Sequence, residues 1–165
     1  MTEKVEVLEI EKEAYEQIVK QTQISVSEKK IDFLIRFVPK FRSVSRNLVE
    51  EMEIFFVKEV ASQGFLFQRQ DEQDDYIYFI FRGRCRVLLS THATMHQGRA
   101  LFPTEISQDK TKKQAVIGYL GKGDSFGEHS AINDLPNPFS VEALSPKVEV
   151  YKILRAHFIK YFGGL

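Results

Sequence analysis

The stretch LGKGDSFGEHSAINDLPNPFSVEA, residues 120–143, combines three glycines, a short helical pattern and two prolines ahead of an alternating strand. Gly121, Gly123 and Gly127 let the backbone turn and approach a bound group closely, which a residue with a Cβ often cannot do. Glu128 opens a helical turn whose free amides favour an anion such as phosphate. These features predict an anion-binding turn between two strands. Glycines also occur in ordinary tight turns between strands. From this stretch alone, a turn that binds no anion therefore stays an alternative.

Short strands surround this stretch on both sides. From residue 54 onward, runs of β-branched and aromatic residues alternate with turn residues. The predicted strands are IFFVKEV, GFLFQR, YIYFIFR, RCRVLLS, AVIGYL, FSVEAL and KVEVYKI, beginning at residues 54, 64, 76, 84, 115, 139 and 147. Strands at this spacing favour an antiparallel β-roll, a jelly-roll-like barrel of two sheets. The predicted fold class is therefore mainly β with flanking helices.

Helical patterns precede the strands. LEIEKEAYEQIVKQTQ, residues 8–23, suits one amphipathic helix. Ser27 can cap a second helix, EKKIDFLIRFV, which should end before Pro39. Ser45 can cap a third, RNLVEEMEIF. The sequence therefore predicts three N-terminal helices.

A last helical pattern, LRAHFIKYF, covers residues 154–162. With the preceding patterns, it divides the chain into two parts. We predict a helical segment, residues 1–53, that packs on the barrel, and a β-roll, residues 54–165, that carries an internal and a C-terminal helix. The two parts are expected to form one structural domain.

Composition limits the classes of function. Lys plus Arg equals Asp plus Glu at 23 each, so no overall positive field gathers nucleic acid. No apolar run is long enough to span a membrane, and the N-terminus lacks a signal-peptide pattern. The single Cys85 cannot form an internal disulfide and fits a buried strand position in a reducing compartment. We expect a cytoplasmic protein that does not bind nucleic acid.

No residue cluster predicts catalysis or a metal centre. His92 and His96 lie in a polar stretch, residues 91–113, that is predicted to be a long hairpin loop without a third metal ligand nearby. His129 follows Glu128, but adjacent residues on a helical turn point in different directions. No nucleophile or phosphate-loop motif occurs either. We therefore predict a protein that is not an enzyme and that carries no metal or cofactor.

The motif order along the chain resembles that of cyclic-nucleotide-binding domains, the modules of kinase regulatory subunits, gated channels and catabolite activator proteins. GKGDSFGE followed by FSVEA is similar to their phosphate-binding cassette, and residues 121–143 are called the cassette segment below. YIYFIFRGRCRVL resembles the family's hairpin, FVPKFRSVSRNLVEEM its N-terminal helical motif, and VEVYKILRAHFIKYF its last strand and helix. The resemblance covers residues 31–162.

The resemblance implies a cAMP or cGMP site in the cassette segment. In that family the Glu of the Gly-Glu pair accepts hydrogen bonds from the ribose 2′-hydroxyl, and an Arg with nearby amides holds the cyclic phosphate. Gly127, Glu128 and Ser140 match the family's residues. The candidate ligand-binding residues are Phe126, Gly127, Glu128, His129, Ser130, Asn137, Pro138, Phe139 and Ser140.

This chain departs from the family where the phosphate would bind. Asn137 stands in place of the Arg, Pro138 has no N–H to donate, and Phe139 replaces a small residue. Charge-assisted hydrogen bonds contribute roughly 1.5–3 kcal/mol each, so these losses should weaken binding about a hundredfold. In the nearby turn, Asp71 and Glu72 follow Gln70 where the family has Gly and Asp.

Two functions follow from these departures. The first is a regulatory or scaffolding module with a degenerate pocket that binds cAMP or cGMP weakly or not at all. The alternative is a true cAMP or cGMP sensor that binds through Gly127 and Glu128. Either function implies a further domain or a protein partner in a longer chain.

Overall fold

The computed structural model describes residues 10–91 and 113–162. The chain divides into two compact units, Met1–Glu53 and Ile54–Leu165. The predicted packing of the helical segment on the β-roll stays a prediction. The polar stretch with His92 and His96 lies outside the described residues, except for its first and last positions.

One long helix dominates the first unit. Helix α1 spans Lys12–Phe37, and the 3₁₀ turn Pro39–Phe41 and helix α2, Arg46–Met52, follow. The predicted break before a Ser27 cap is wrong, because no Gly or Pro interrupts residues 12–37. The Ser27 side chain hydrogen-bonds Glu53 instead of capping a helix.

Two predicted helix boundaries are confirmed, the C-terminus of a helix before Pro39 and the N-terminus of a helix at Ser45. Helix α1 ends at Phe37, since the residue before a proline is pushed out of the helical conformation. The Leu48 amide donates to the Ser45 hydroxyl at 3.4 Å, which caps α2. A second 3₁₀ turn, Glu53–Phe55, follows α2 and shortens the predicted third helix.

A nearly buried ion pair joins two elements of the first unit. Lys30 Nζ contacts the carboxylate of Glu53, and the two side chains are 12% and 13% exposed. Burial by itself raises the pKa of Glu53, but hydrogen bonds from Lys30 and Ser27 outweigh it and lower the pKa. This pair ties the middle of α1 to the residue that follows α2.

The second unit contains two four-stranded antiparallel sheets. The first has the order β1-β8-β3-β6 and the second β2-β7-β4-β5. The strands are β1 Val57–Ser62, β2 Leu66–Gln68, β3 Tyr76–Arg82, β4 Cys85–Thr91, β5 Lys113–Leu120, β6 Ser125–Phe126, β7 Ser140–Ala143 and β8 Lys147–Leu154. Helix α3, Glu128–Asn133, joins β6 to β7, and helix α4, Arg155–Phe162, follows β8. The predicted fold class is confirmed.

Both sheets contribute to one apolar core. Its buried residues come from seven strands, β1 to β4 and β6 to β8, and they are Ala61, Phe67, Tyr78, Ile80, Cys85, Phe126, Val141, Ala143, Val148 and Val150. Cys85 is fully buried, as predicted, and burial raises the pKa of its thiol to about 12. The opposite face of β3 is covered too, because Phe79 contacts the rings of Phe56 and Phe158. Strand β3 is therefore buried on both faces.

The described residues include no helix that is both long and apolar enough to cross a membrane. Helix α1 has the length, at 26 residues, but charged side chains occur along it.

Candidate functional site

The cassette segment connects the two sheets. Strand β6 pairs with β3 in the first sheet, and β7 pairs with β2 and β4 in the second. Helix α3 lies between β6 and β7, as the short helical pattern predicted. A ligand at this segment would therefore contact both sheets at once.

Gly127 fixes the start of α3. Its φ is +87°, a left-handed conformation that favours glycine, and it is the residue that precedes the helix. A Cβ at this position would lie 2.5 Å from the carbonyl oxygen of Tyr76, which is backbone and cannot move aside easily. The close approach that the glycines suggested is thus made by the chain's own β3.

A cavity of about 140 Å³ lies beside the cassette segment. Eight of the nine predicted site residues line it, and Ser140 does not. Four further lining residues, Gln68, Val87, Leu120 and Ser125, were not predicted. Gln68 and Val87 come from strands distant in sequence, so only strand pairing brings them here. Ligand pockets usually measure about 300–1,000 Å³, so this cavity is small for a nucleotide.

Asn137 forms hydrogen bonds with the backbone of the chain itself. The residue is 1% exposed, and its side-chain Nδ2 donates to the Arg69 carbonyl at 3.2 Å. Its backbone N–H donates to the Glu72 carbonyl, and its carbonyl accepts from the Asp71 amide, both at 2.9 Å. The donor that the sequence offered to a ligand is therefore used to hold the loop at residues 69–72.

Ser140 and Gln70 extend this attachment. The backbone amide of Gln70 donates to the Ser140 hydroxyl at 2.9 Å. The Gln70 side chain forms two hydrogen bonds with the backbone of Ser90. Its Nε2 donates to the Ser90 carbonyl at 3.3 Å, and its Oε1 accepts from the Ser90 amide at 2.7 Å. These bonds connect β4, the loop and the start of β7.

The loop itself keeps the shape that a glycine would give it. Asp71 has φ +65°, at the position where the family has Gly. Aspartate tolerates this left-handed region better than most residues. The acidic residues that depart from the family pattern therefore lie on a loop held directly against the cassette segment.

Phe139 fills space beside the cavity. Its ring is partly buried, packs against the core shared by the two sheets and lines the cavity. Its carbonyl accepts a hydrogen bond from Gln68 Nε2 at 3.1 Å. Pro138, with no N–H, also lines the cavity. The large residue at this position consequently reduces the room for a ligand.

The cassette helix is attached to the helix that follows the last strand. Asp134, which ends α3 in a left-handed conformation, forms an ion pair with Arg155 at the start of α4. The Arg155 amide donates to the Asp75 carbonyl at 2.7 Å. The Ser130 hydroxyl donates to the Leu135 carbonyl and closes the end of α3.

A comparison with protein families decides the classification. The family model described as Cyclic nucleotide-binding domain matches residues 57–163. The chain belongs to this family. The resemblance drawn from the cassette motif and the hairpin is confirmed.

One known relative of this cyclic nucleotide-binding domain is a protein kinase. Isozyme 1 of the cGMP-dependent protein kinase of Drosophila melanogaster is 27% identical over 165 residues, which is 100% of this chain and 19% of the kinase. The chain thus corresponds to a small part of that relative.

Solved structures agree with the fold. The regulatory domain of Toxoplasma gondii PKA with cAMP has a TM-score of 0.72 at 20% identity, covering 92% of this chain and 51% of that one. The regulatory subunit of a cAMP-independent protein kinase A from Trypanosoma cruzi, bound to guanosine, has a TM-score of 0.67 at 21% identity, covering 93% and 47%. The chain spans about half the length of these structures. At these identities the similarity shows the fold alone.

Proposed function

We propose that this domain is a non-enzymatic regulatory or scaffolding module in which cyclic-nucleotide binding is weakened or lost. The observation that carries the proposal is Asn137, which occupies the position of the family's phosphate-binding Arg and is hydrogen-bonded to the loop at residues 69–72. A neutral amide has no charge to offer a cyclic phosphate, and the Nδ2 of this one already donates to the Arg69 carbonyl.

The contacts missing from the phosphate position also weaken binding. A missing guanidinium and a missing amide at Pro138 together remove about 3 kcal/mol, or about a hundredfold in affinity. Phe139 and the cavity volume of about 140 Å³ oppose binding further, since a cyclic nucleotide needs more room. The Trypanosoma cruzi neighbour, described as cAMP-independent, also favours this function.

The alternative is a sensor of cAMP or cGMP. Gly127 has the left-handed conformation that opens α3, and Glu128 lines the cavity, and these two observations support a ribose end of a nucleotide site. The Toxoplasma gondii neighbour with cAMP supports this alternative. It requires another phosphate partner in place of the Arg.

Titration calorimetry with cAMP and then cGMP separates the two functions. We expect no saturation below about 0.1 mM, the range left after a hundredfold loss from an affinity of about 1 μM. Saturable binding of either nucleotide in the micromolar range would overturn the proposal and establish the sensor.

A gain-of-function variant tests the reason for the loss. Asn137→Arg with Pro138→Ala restores a phosphate partner and an amide, and Asn133→Arg adds the same charge on the exposed part of α3 as a control. Thermal unfolding must accompany the titration, because Asn137 also holds the 69–72 loop. Binding by the double variant but not by the control would assign the loss to these two residues. A folded double variant that does not bind either nucleotide would assign the loss of binding to Phe139 and the cavity size.

We also propose that the domain acts in the cytosol through a further domain or a protein partner. The buried free thiol of Cys85 suits a reducing compartment. The kinase relative, of which this chain covers 19%, suits a domain that works together with others.

A further inference from the structure

Four tight turns lie at one end of the two sheets. They join β1 to β2, β3 to β4, β5 to β6 and β7 to β8. With the strand residues that flank them, the turns cover residues 62–65, 82–84, 121–124 and 144–147. The Arg84 carbonyl accepts from the Ser145 amide at 3.2 Å, and the Gly123 amide donates to the Ile80 carbonyl, near the end of β3, at 2.9 Å. These bonds place the last three turns side by side.

The turns carry an excess of positive charge. Their basic residues are Arg82, Arg84, Lys122 and Lys147, whereas Asp124 is their one acidic residue, and all five are exposed. The loop before β3, residues 69–75, has the reverse charge, with four carboxylates and one Arg. Since β3 has seven residues, this loop and the turn after β3 are separated by about 20 Å. The chain has a formal net charge of zero, so the excess at the turns is local.

The nearby carboxylate of Glu149 does not neutralise this excess. Its side chain is 6% exposed, and its two oxygens contact Lys58 Nζ at 2.6 Å and Lys147 Nζ at 2.9 Å. Two cations therefore share one negative charge. The lysines are 44% and 62% exposed. A partner that approaches from solvent consequently meets the cations and not the buried carboxylate.

An exposed aromatic residue belongs to the same surface. Phe65 is 45% exposed, and its carbonyl accepts from the Ala143 amide at 2.8 Å, directly before the turn that ends at Lys147. The ring of Phe65 contacts that of Phe67 in the core, with centroids 5.0 Å apart. This contact holds the ring against the β-roll. The ring thus offers apolar area to a protein segment and does not project as insertion into a bilayer requires. We call Phe65, Arg82, Arg84, Lys122 and Lys147 the basic turn surface.

We propose that the basic turn surface is the docking site for an acidic segment of a protein partner, with an apolar side chain that contacts Phe65. The inference rests on the proposed function, because that function acts through a partner, and it adds the chemistry of the partner. Guanidinium groups bind carboxylates through paired hydrogen bonds, and Arg and aromatic residues are enriched at protein interfaces. The acidic loop at residues 69–75 repels the same segment, which directs it to the basic turn surface.

A pair of peptides tests the chemistry of the partner. The probes are fluorescein-labelled EELEEFEELEE and its uncharged form QQLQQFQQLQQ, titrated with the full chain and followed by fluorescence anisotropy. We expect the acidic peptide to saturate below about 1 mM and the uncharged peptide to bind at least about tenfold more weakly. Raising the ionic strength from about 0.05 M to about 0.5 M should weaken binding of the acidic peptide at least about tenfold, since salt screens exposed charges.

Two arginine pairs test the location. Arg82→Gln with Arg84→Gln removes two charges from the basic turn surface, whereas Arg36→Gln with Arg42→Gln removes two charges from exposed positions of the first unit. We expect the first double variant to bind the acidic peptide about tenfold more weakly and the second to bind within about twofold of the unchanged chain. All four side chains are exposed, so both variants should fold, and thermal unfolding checks this.

A matched pair of phenylalanines tests the apolar contact. Phe65 and Phe37 are both 45% exposed, and Phe37 stacks on Phe33 as Phe65 contacts Phe67. We expect Phe65→Ala to weaken binding of the acidic peptide about threefold to tenfold and Phe37→Ala to leave it unchanged. Equal effects would overturn the inferred contact with Phe65.

The outcomes distinguish this inference from the function beneath it. No saturation by the acidic peptide up to about 1 mM, or equal effects of the two arginine pairs, would overturn the inference and leave the proposed function standing. Tighter binding to vesicles of phosphatidylserine and phosphatidylcholine than to the acidic peptide would overturn the inference in favour of a lipid surface. Micromolar binding of cAMP or cGMP would overturn the proposed function in a titration that does not involve the basic turn surface.

Discussion

The two ends of the cassette segment are held in place by different means. At the first end, Gly127 is fixed by its backbone, with φ +87° and a close approach to β3. At the second end, Asn137 and Ser140 are fixed by side-chain hydrogen bonds to the loop at residues 69–72. The first end still presents Glu128 to the cavity. The comparison shows that the cassette segment can keep its backbone conformation while its polar side chains form hydrogen bonds with the chain itself and not with a ligand.

The largest effect should come from the first end. Gly127→Ala forces a left-handed conformation on alanine and places its Cβ 2.5 Å from the Tyr76 carbonyl oxygen. We expect a loss of about 3 kcal/mol or more in the free energy of unfolding, since strain and steric overlap add. Urea denaturation followed by circular dichroism measures it.

Gly64 provides the matched control for this variant. Its φ is +85°, but nothing lies within 4 Å of the position that a Cβ would take. Gly64→Ala should therefore cost only the conformational strain, about 1 kcal/mol. Equal losses in the two variants would show that the approach to β3 does not hold the first end.

The next effect should come from Asn137. Asn137→Ala removes the bond to the Arg69 carbonyl from a buried site, and we expect a loss of about 1–3 kcal/mol. Asn133→Ala removes a bond of Nδ2 to the His129 carbonyl at 2.9 Å on an exposed helix and should cost less than about 0.5 kcal/mol. If the two variants are equally stable, the second end is not held by the Asn137 side chain.

A pH series separates ion pairs from neutral hydrogen bonds, because the Asn137 bond contains no titratable group. Glu149 in β8 is different, since Lys58 and Lys147 hold its carboxylate at 2.6 and 2.9 Å. Hydrogen bonds from these two lysines lower its pKa from 4.5 to about 2. A lowered pKa in the folded state stabilises the fold above the unfolded value, and this contribution is lost as the pH falls from about 5 to about 2.

Two variants measured across this pH range should behave differently. Glu149→Gln should cost about 1–2 kcal/mol at pH 7, a modest value because both lysines are largely exposed, and almost nothing at about pH 2. The cost of Asn137→Ala should stay constant over the same range. A cost for Glu149→Gln that does not change with pH would contradict the assigned role of the ion pairs.

The smallest effect should come from Ser140. Ser140→Ala removes the acceptor of the partly buried Gln70 amide and should cost about 1 kcal/mol. Ser145→Ala removes the acceptor of the Arg84 amide at 3.0 Å in an exposed turn, where water can replace it, and should cost a few tenths of that. A larger loss in Ser145→Ala than in Ser140→Ala would contradict the attachment of the loop at the second end.

Local patterns predicted most of the elements. The prediction for β3 coincides with the strand Tyr76–Arg82, because seven β-branched, aromatic and basic residues stand between clear turn signals. Strand β6 was missed, since two residues are too few to show an alternation. The break at Ser27 was wrong because a serine can lie inside a helix when a tertiary partner, here Glu53, takes its hydroxyl. Gln68 was missed as a lining residue because strand pairing, not spacing, brings it to the cavity.

The class of fold, the family and the departures at Asn137, Pro138 and Phe139 could be predicted from the sequence, because motif order and residue chemistry are local properties. The partners of the polar groups of these residues became known only from the three-dimensional structure. The amide of Asn137 could serve a ligand or the backbone, and the carbonyl of Arg69, 68 positions earlier, takes it. Such a choice depends on which distant groups the packing of two sheets brings within hydrogen-bond distance, and no sequence spacing contains that information.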